Sequence, residues 1–382
     1  MKFRVDRDAF AEAVAWTARA LPARPAVPVL AGMRLEIPDP GSGRLRLSSF
    51  DYEVSARAAV DVDVDQPGAI LVSGRLLAEI ARNLPPHPVE VASDASRVLV
   101  TCGSARFTLL TLPLEDYPRL PDMPKVTGSI GGDAFGTAVR QVAPAASRDD
   151  TLPMLTGIHV AFSGDSLTLA ATDRYRIAVR DLWWRPAQAD LTASALVPAR
   201  TLAETARALV PGSNVDIALS TIGSGGASRG EGMIGFETGG RRTTTRLIDS
   251  EFIKYESRFP TEFDARAEIS TAPLTEAVKR VALVADRNTP LRLSFTQGEV
   301  VLEAGSGDDA QALEALETKY EGDDMRVAFS PSYLLDGIGG VESETAYLNF
   351  TAPTKPVVIS GVPSEEGGRP DFRYLVMPLR VS

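Results

Sequence analysis

The sequence is poor in the residues that staple a protein or bind metals. Across 382 residues it has one cysteine, Cys102, and two histidines, His87 and His159. One thiol excludes an intramolecular disulfide, and no His/Cys zinc cluster can be assembled from that inventory. There is no run of about 18 apolar residues, so no stretch reads as a membrane-spanning helix. The first ten residues, MKFRVDRDAF, carry charge where a secretory leader needs an apolar core. The expectation is a cytoplasmic protein with no membrane partner, no cofactor and no metal. Catalytic signatures are missing too. His87 sits in the rigid turn PPHPV and His159 in an alternating strand, and neither has a serine or cysteine nucleophile motif nearby. The Gly-rich GSGGASRGEG (223–232) lacks the Gly-Lys-Ser/Thr ending of a phosphate loop and reads as a hairpin loop.

Acid is what the chain has in excess. Fifty Asp and Glu against 40 Lys and Arg give a net charge of −10, which argues mildly against nucleic acid as a partner. The length suggests two or three domains, and an internal repeat decides between them. Phe10, Val14, Thr17 and Leu21 recur as Phe135, Val139, Val142 and Ala146, then as Leu274, Val278, Val281 and Ala285. Each set lies at offsets of 0, 4, 7 and 11, one face of a helix. Asp6, Asp133 and Thr271 stand upstream as N-caps. A strand follows each helix, GMRLEI (32–37), GIHVAF (157–162) and PLRLSF (290–295). Then comes a second helix, VSGRLLAEIARNL from Val72, VPARTLAETARAL from Val197 and FSPSYLLDGIGG from Phe329. The pattern predicts an α+β protein of three repeated domains, each with two helices and antiparallel sheets. Boundaries fall in YPRLPDMPKVTG (117–128) and YESRFPTEF (255–263), giving domains at 1–121, 127–252 and 257–382.

Charge is distributed unevenly within the repeats. Arg7, Arg19, Arg75, Arg82, Arg140, Arg200 and Arg207 lie off the apolar helix faces, joined by Lys279 and Arg280 in the third copy. Arg24, Arg148 and Arg287 follow each first helix. A basic face on an acidic protein could hold phosphates; arginine is also an ordinary helix former on any exposed surface. The stretch LTLAATDRYRIAV (167–179) joins two alternating strands through Thr172-Asp173-Arg174-Tyr175-Arg176. The first repeat has Phe50-Asp51-Tyr52-Glu53-Val54 there, so the shared aspartate serves the fold, and the Arg-Tyr-Arg set marks a site built on one copy. Trp183 and Trp184 then cover the sheet, GGRRTTTR (239–246) reads as an exposed strand, and EGDD (321–324) as a solvated turn. The apolar C-terminal YLVMPLRVS (374–382) must dock against something to stay ordered.

LPARPAVPVLAG, RDDTLPMLTGI, ATDRYRIAV, PSYLLDGI and YLVMPLRV, in that order on a three-repeat chain, resemble the bacterial sliding clamp, the beta subunit of replicative DNA polymerase III. FDYEVSA, VSGRLL and GRRTTTRL resemble its actinobacterial form. The resemblance implies a non-catalytic processivity factor with the DNA-clamp fold, a head-to-tail homodimeric ring around duplex DNA. It implies a groove that takes peptide motifs from the polymerase alpha subunit, the clamp loader and other clamp-motif proteins. By position the groove would be lined by Leu155, Thr172, Arg174, Tyr175, Arg176, Ile177, Tyr333, Leu375, Met377, Pro378, Leu379 and Arg380, with Arg176 and Arg380 donating to peptide carbonyls at its mouth. Arg24 would be the leading DNA contact, followed by Arg75, Arg82, Arg140, Arg148, Arg200, Arg207 and Lys279. Phe107 and Leu109 would face Leu283 and Val284 of the second chain.

Three groove positions depart from the pattern: Ile253 for a usual proline, Arg258 for an aliphatic residue, and Ser330 for asparagine. They raise the alternative of a specialised second clamp whose remodelled groove tolerates a groove-binding inhibitor. A hydrolase on the same repeats would need a cluster of acids or a nucleophile in one pocket, and the sequence offers none. A static DNA binder would need no topological link to its DNA.

Overall fold

The computed structural model describes residues 1–94, 96–220, 232–285, 289–305, 310–363 and 368–380. The expected hairpin at 223–232, except Gly232, and Arg287 lie outside the described residues. Six α-helices are described, two per sequence repeat: α1 (Arg7–Thr17), α2 (Gly74–Arg82), α3 (Gly132–Val142), α4 (Ala199–Arg207), α5 (Thr271–Val281) and α6 (Pro331–Gly339).

The helical stripes behave alike in every copy. Phe10, Val14 and Thr17, then Phe135, Val139 and Val142, then Leu274, Val278 and Val281, are all buried. The fourth members, Leu21, Ala146 and Ala285, are only half-buried. They follow the 3₁₀ turns Ala18–Ala20, Ala143–Ala145 and Ala282–Val284, which end each helix and take the chain off the core. The caps are less uniform. Asp6 caps α1, accepting from Asp8 N and Ala9 N. Asp133 instead lies inside the first turn of α3 and accepts from Gly212 N at 3.0 Å. The α5 cap is Ser270, while Thr271 is the first helical residue and donates to Ser343 O at 2.8 Å.

The chain sorts into two compact units, residues 1–133 with 207–247, and residues 134–206 with 248–382. This cut passes through the middle repeat because strands of successive repeats share sheets. In the first unit, Arg241–Arg246 pairs antiparallel with Val54–Asp61, Thr245 opposite Val54. Its other sheet runs Asp63–Gln66, Lys2–Val5, Val89–Ser93, Arg97–Cys102, Ala105–Leu110, the last strand an open edge.

In the second unit a nine-stranded sheet runs Thr192–Pro198, Gly157–Ser163, Ser166–Thr172, Arg176–Trp183, Phe372–Val376, Val357–Ser360, Thr345–Phe350, Ala265–Ser270, Lys319–Glu321. Phe372–Val376 is buried throughout in the interior of that sheet. The smaller sheet of this unit has Ala312–Glu317 at its open edge. Two surface expectations change. Trp184 is buried on Phe162, ring centroids 4.9 Å apart, whereas Trp183 is exposed. Thr243, Thr244 and Thr245 are buried while Arg242 and Arg246 face solvent, so Arg241–Arg246 is an interior strand that follows an exposed turn at Gly239 and Gly240. Residues 321–324 are exposed, as a solvated turn requires.

Helix α6 lies on the C-terminal strand through two glycines. A Cβ on Gly337 would come within 2.6 Å of the Tyr374 ring, and one on Gly340 within 2.2 Å of Phe372. Gly337→Ala should therefore lower stability. Overpacking costs about 1–3 kcal/mol, more than the helix-propensity gain of about 1 kcal/mol, and a rigid ring at that distance puts the cost at the upper end. Urea denaturation at constant m-value would measure the loss.

Candidate functional site

The site candidate begins with a turn that the sequence writes twice. Asp173 Oδ1 accepts from Tyr175 N at 3.0 Å and Arg176 N at 3.1 Å. Asp51 Oδ1 accepts from Glu53 N at 3.0 Å and Val54 N at 2.6 Å. Arg174 and Tyr52 are the two described non-glycine residues with positive φ, 81° and 75°. Both aspartates thus serve the fold, bracing a left-handed residue that costs about 1–3 kcal/mol unless supported. The strand beyond each turn is also held alike: Met377 N donates to Tyr175 O at 2.8 Å, and Arg246 N to Glu53 O at 3.0 Å.

On this frame the second unit gathers most of the expected groove residues at the ends of two paired strands. Arg176 opposes Val376 and Ile177 opposes Leu375. Alternation then separates the set onto the two faces of the sheet. Thr172, Ile177 and Leu375 lie on one face. There Ile177 and Leu375 form a buried cluster with Ala170, Val179, Val358 and Tyr255, against which Phe252, Ile253 and Phe259 pack. Arg176 and Tyr374 lie on the other face, with α6. Leu155 is buried nearby in sequence order to the 3₁₀ turn Pro153–Leu155.

Where the strands end, apolar side chains emerge: Tyr175 is 55% exposed, Met377 and Leu379 are exposed, and Pro378 is half-buried. Leu379 N donates to Ala328 O at 2.7 Å, so this tail is held in place. Exposed apolar groups on a fixed backbone suit capture of Leu- and Phe-bearing peptides. Arg174, Arg258 and Arg380 are exposed around them.

Arg176 does not do what the sequence suggested. Its side chain is 9% exposed and its donors are turned inward. Nε donates to Asp173 Oδ2 at 2.9 Å, Nη1 to Asp336 Oδ2 and to Tyr374 OH at 3.2 Å, and Nη2 to Pro144 O. The guanidinium carbon lies 4.2 Å from the Tyr333 ring centroid. Burial alone would lower its pKa, but Tyr374, Asp336 and Asp173 outweigh it and raise it. The group is a fixed cation whose donors are engaged within the protein, whereas Arg380 is exposed.

The three departures are placed as follows. Ile253 packs on the buried cluster, as a proline ring would. Arg258 ends a 3₁₀ turn, Glu256–Arg258, and is exposed, so its charge stays in water in the free protein. Ser330 sits at the N-cap of α6 without capping it; its hydroxyl lies 3.0 Å from that of Ser332.

Among the cations, the side chains of Arg24, Arg82, Arg148 and Arg207 are exposed with no hydrogen bond or ion pair among the described residues. Arg75 donates to Pro22 O at 2.8 Å and Arg140 to Thr137 Oγ1 at 2.7 Å. Arg200 and Lys279 pair with Glu204 and Glu276 on their own helices. Of the expected interface residues, Leu283 is 84% exposed and Val284 half-buried. Leu109 is 2% exposed inside the first unit's core and Phe107 packs on that core, so Leu109 is not available to a partner. The sequence reading missed the exposed leucines at the open edges, Leu110 beside Arg106 and Leu313 beside Glu317, and also Leu99 on the strand next to the first edge. Their alternation with buried neighbours was the available signal.

Three profiles of the DNA polymerase III beta subunit match end to end: the N-terminal domain at residues 1–121, the central domain at 129–254 and the C-terminal domain at 256–380. The chain is 56% identical over 383 residues to the beta sliding clamp of Streptomyces coelicolor, covering 100% of both chains. It is 44% identical to the beta sliding clamp homolog GriR of Streptomyces muensis, covering 100% of this chain and 99% of that one. In structure it is similar to the sliding clamp of Pseudomonas aeruginosa bound to griselimycin, with a TM-score of 0.87, 26% identity and 100% of both chains covered.

The outer wall of the site also carries a titratable group. The His159 ring stacks on Phe252, centroids 5.1 Å apart at 3°, and its Nδ1 is buried with no partner among the described residues. Burial pushes its pKa down, opposed by the Glu256 carboxylate. Since the folded-state pKa lies below the unfolded value of 6.5, stability from this group is complete above that pH and is lost as the pH falls below it. Between pH 7 and 5 the melting temperature should fall more for the native chain than for His159→Phe.

Proposed function

The chain belongs to the beta-subunit family of bacterial DNA polymerase III, the sliding clamps, and from that premise we propose the residues with which it grips DNA and its partners. As a family member it is a non-catalytic processivity factor that encircles duplex DNA and serves polymerase and clamp loader. Three domains, at 1–121, 127–252 and 257–382, are the units of that ring. The observation that carries the tethering role is the exposed apolar set Tyr175, Met377 and Leu379 on a fixed backbone beside Arg174 and Arg380. It receives the alpha subunit, the clamp loader and other clamp-motif proteins in turn, through Leu and Phe anchors.

For DNA, the unpaired Arg24, Arg82, Arg148 and Arg207 are the leading contacts. Arg75 and Arg140 are available once they release a neutral acceptor, and Arg200 and Lys279 contribute less because a helical carboxylate already neutralises them. Contacts confined to phosphates fix no register, which sliding requires. For the homodimer, the basic, leucine-bearing edge Ala105–Leu110 of one protomer complements the acidic edge Ala312–Glu317 of the other, with Leu110 and Leu313 each 70% exposed. Leu283 and Val284 flank it. The protein acts in the cytoplasm, on the nucleoid.

The placement of the three departures favours the general clamp over the specialised copy. The exposed Arg258 and the packed Ile253 call for no remodelled groove. On that reading, the double reversion Ile253→Pro, Arg258→Leu leaves affinity for a Leu/Phe-bearing peptide, or for griselimycin, within about twofold. A shift of several-fold would restore the inhibitor-tolerant alternative.

The primary test is topological. The protein is loaded by a cognate clamp loader with ATP onto nicked circular plasmid, isolated, and the plasmid is then cut once. Run-off on linearisation is expected, whereas retention on the linear product would indicate a static binder. Arg24→Ala should shorten retention on the circle with the dimer intact; unchanged retention removes Arg24 from the contact set.

A further inference from the structure

We propose that Asp336 is a positioning residue for the peptide site, acting through Arg176 to hold the Tyr333 ring as one of its walls. This inference rests on the tethering role above and concerns a residue to which that role gives no part.

The first repeat supplies an internal control. It builds the same turn, with the same aspartate bonds, the same left-handed residue and the same strand beyond it, and carries Val54 where the second repeat carries Arg176. The turn therefore does not need a guanidinium. Burying one without such a need costs several kcal/mol unless every donor is answered, and here the answers come from far along the chain. Asp173 lies in the turn itself. Pro144 O follows α3, Asp336 and Tyr333 stand on α6, and Tyr374 is on the C-terminal strand.

Helix geometry gives Asp336 its role. Tyr333 and Asp336 are three residues apart and share one face of α6. The guanidinium is thus bonded by the carboxylate and lies over the ring of the same helical face, while Tyr374 OH donates to Tyr333 O at 2.9 Å. Asp336 closes this arrangement from the more open side, with more side-chain exposure than Asp173. Asp173 and the backbone carbonyl of Pro144 would still hold Arg176 without it. What would loosen is the tie between Arg176 and α6, leaving Tyr333, beside Tyr175, to its own bond with Asp173. The matching helix position in the earlier repeats also bears a carboxylate. Glu79 is exposed, and Glu204 pairs with Arg200 along its own helix, so only the third repeat directs it to a buried cation.

The test is a double-mutant cycle on the full-length dimer. Its readout is fluorescence anisotropy with a labelled ten-residue peptide bearing leucine and phenylalanine anchors. Native protein that binds no such peptide refutes the tethering role itself. Given native binding, Asp336→Asn should weaken affinity about five- to tenfold, Asp336→Glu should recover most of it, and Tyr333→Ala should weaken it as well. In the Tyr333→Ala background, Asp336→Asn should cost nothing further, because neighbours acting through one another are not additive. Melting temperature and dimer formation of the Asn variant should match the native chain. Native-like affinity in Asp336→Asn, an undiminished penalty in the Tyr333→Ala background, or a chain that no longer folds would each overturn the inference, the last because Asp336 would then serve the fold.

Discussion

The pairing of Phe372–Val376 with Arg176–Trp183 is the constraint on which the proposed peptide site depends. It joins strands almost 200 residues apart and sets which side chains of the Thr172–Arg176 turn meet the chain terminus. It also puts Tyr374 against α6, where only glycine at 337 allows the ring to approach. Phe372–Val376 is buried along its whole length. Here the last strand has neighbours on both sides, so Met377, Pro378 and Leu379 emerge at a fixed angle, and their ordering entropy is spent before any ligand arrives.

One sheet separates two kinds of chemistry. On one face, aliphatic and aromatic groups from the 252–259 segment close over Ile177 and Leu375. On the other, a buried cation is answered by two carboxylates, a phenol and a carbonyl. The apolar face tolerates change, as Ile253 in place of a usual proline illustrates, because volume and hydrophobicity are all it must supply. The polar face is strict, since each group there is satisfied only while the others stay in place.

Much of the fold was legible in the sequence. The three helical stripes, the strands after them and the structural role of Asp51 and Asp173 follow from periodicity and comparison of repeats, and the side chains lie where that reading puts them. The inward role of Arg176 was not legible. Pro144, Asp336 and Tyr374 are 32, 160 and 198 residues away, and no local pattern announces such a meeting. Leu109 escaped for a different reason: an alternating strand reveals that its faces differ, but not which one meets the core until its pairing is known. The caps at Asp133 and Thr271 were misplaced by two residues and by one, within the usual uncertainty at a helix end.

The two open edges differ from each other, one basic and the other acidic, each with an exposed leucine. Such ends join different patches rather than like to like, and contacts of that kind have no built-in stopping point. They grow into filaments unless the rotation at each joint brings the last end back to the first. Under the proposed pairing of the two edges, closure rather than the strength of the joint decides that assembly stops at two chains.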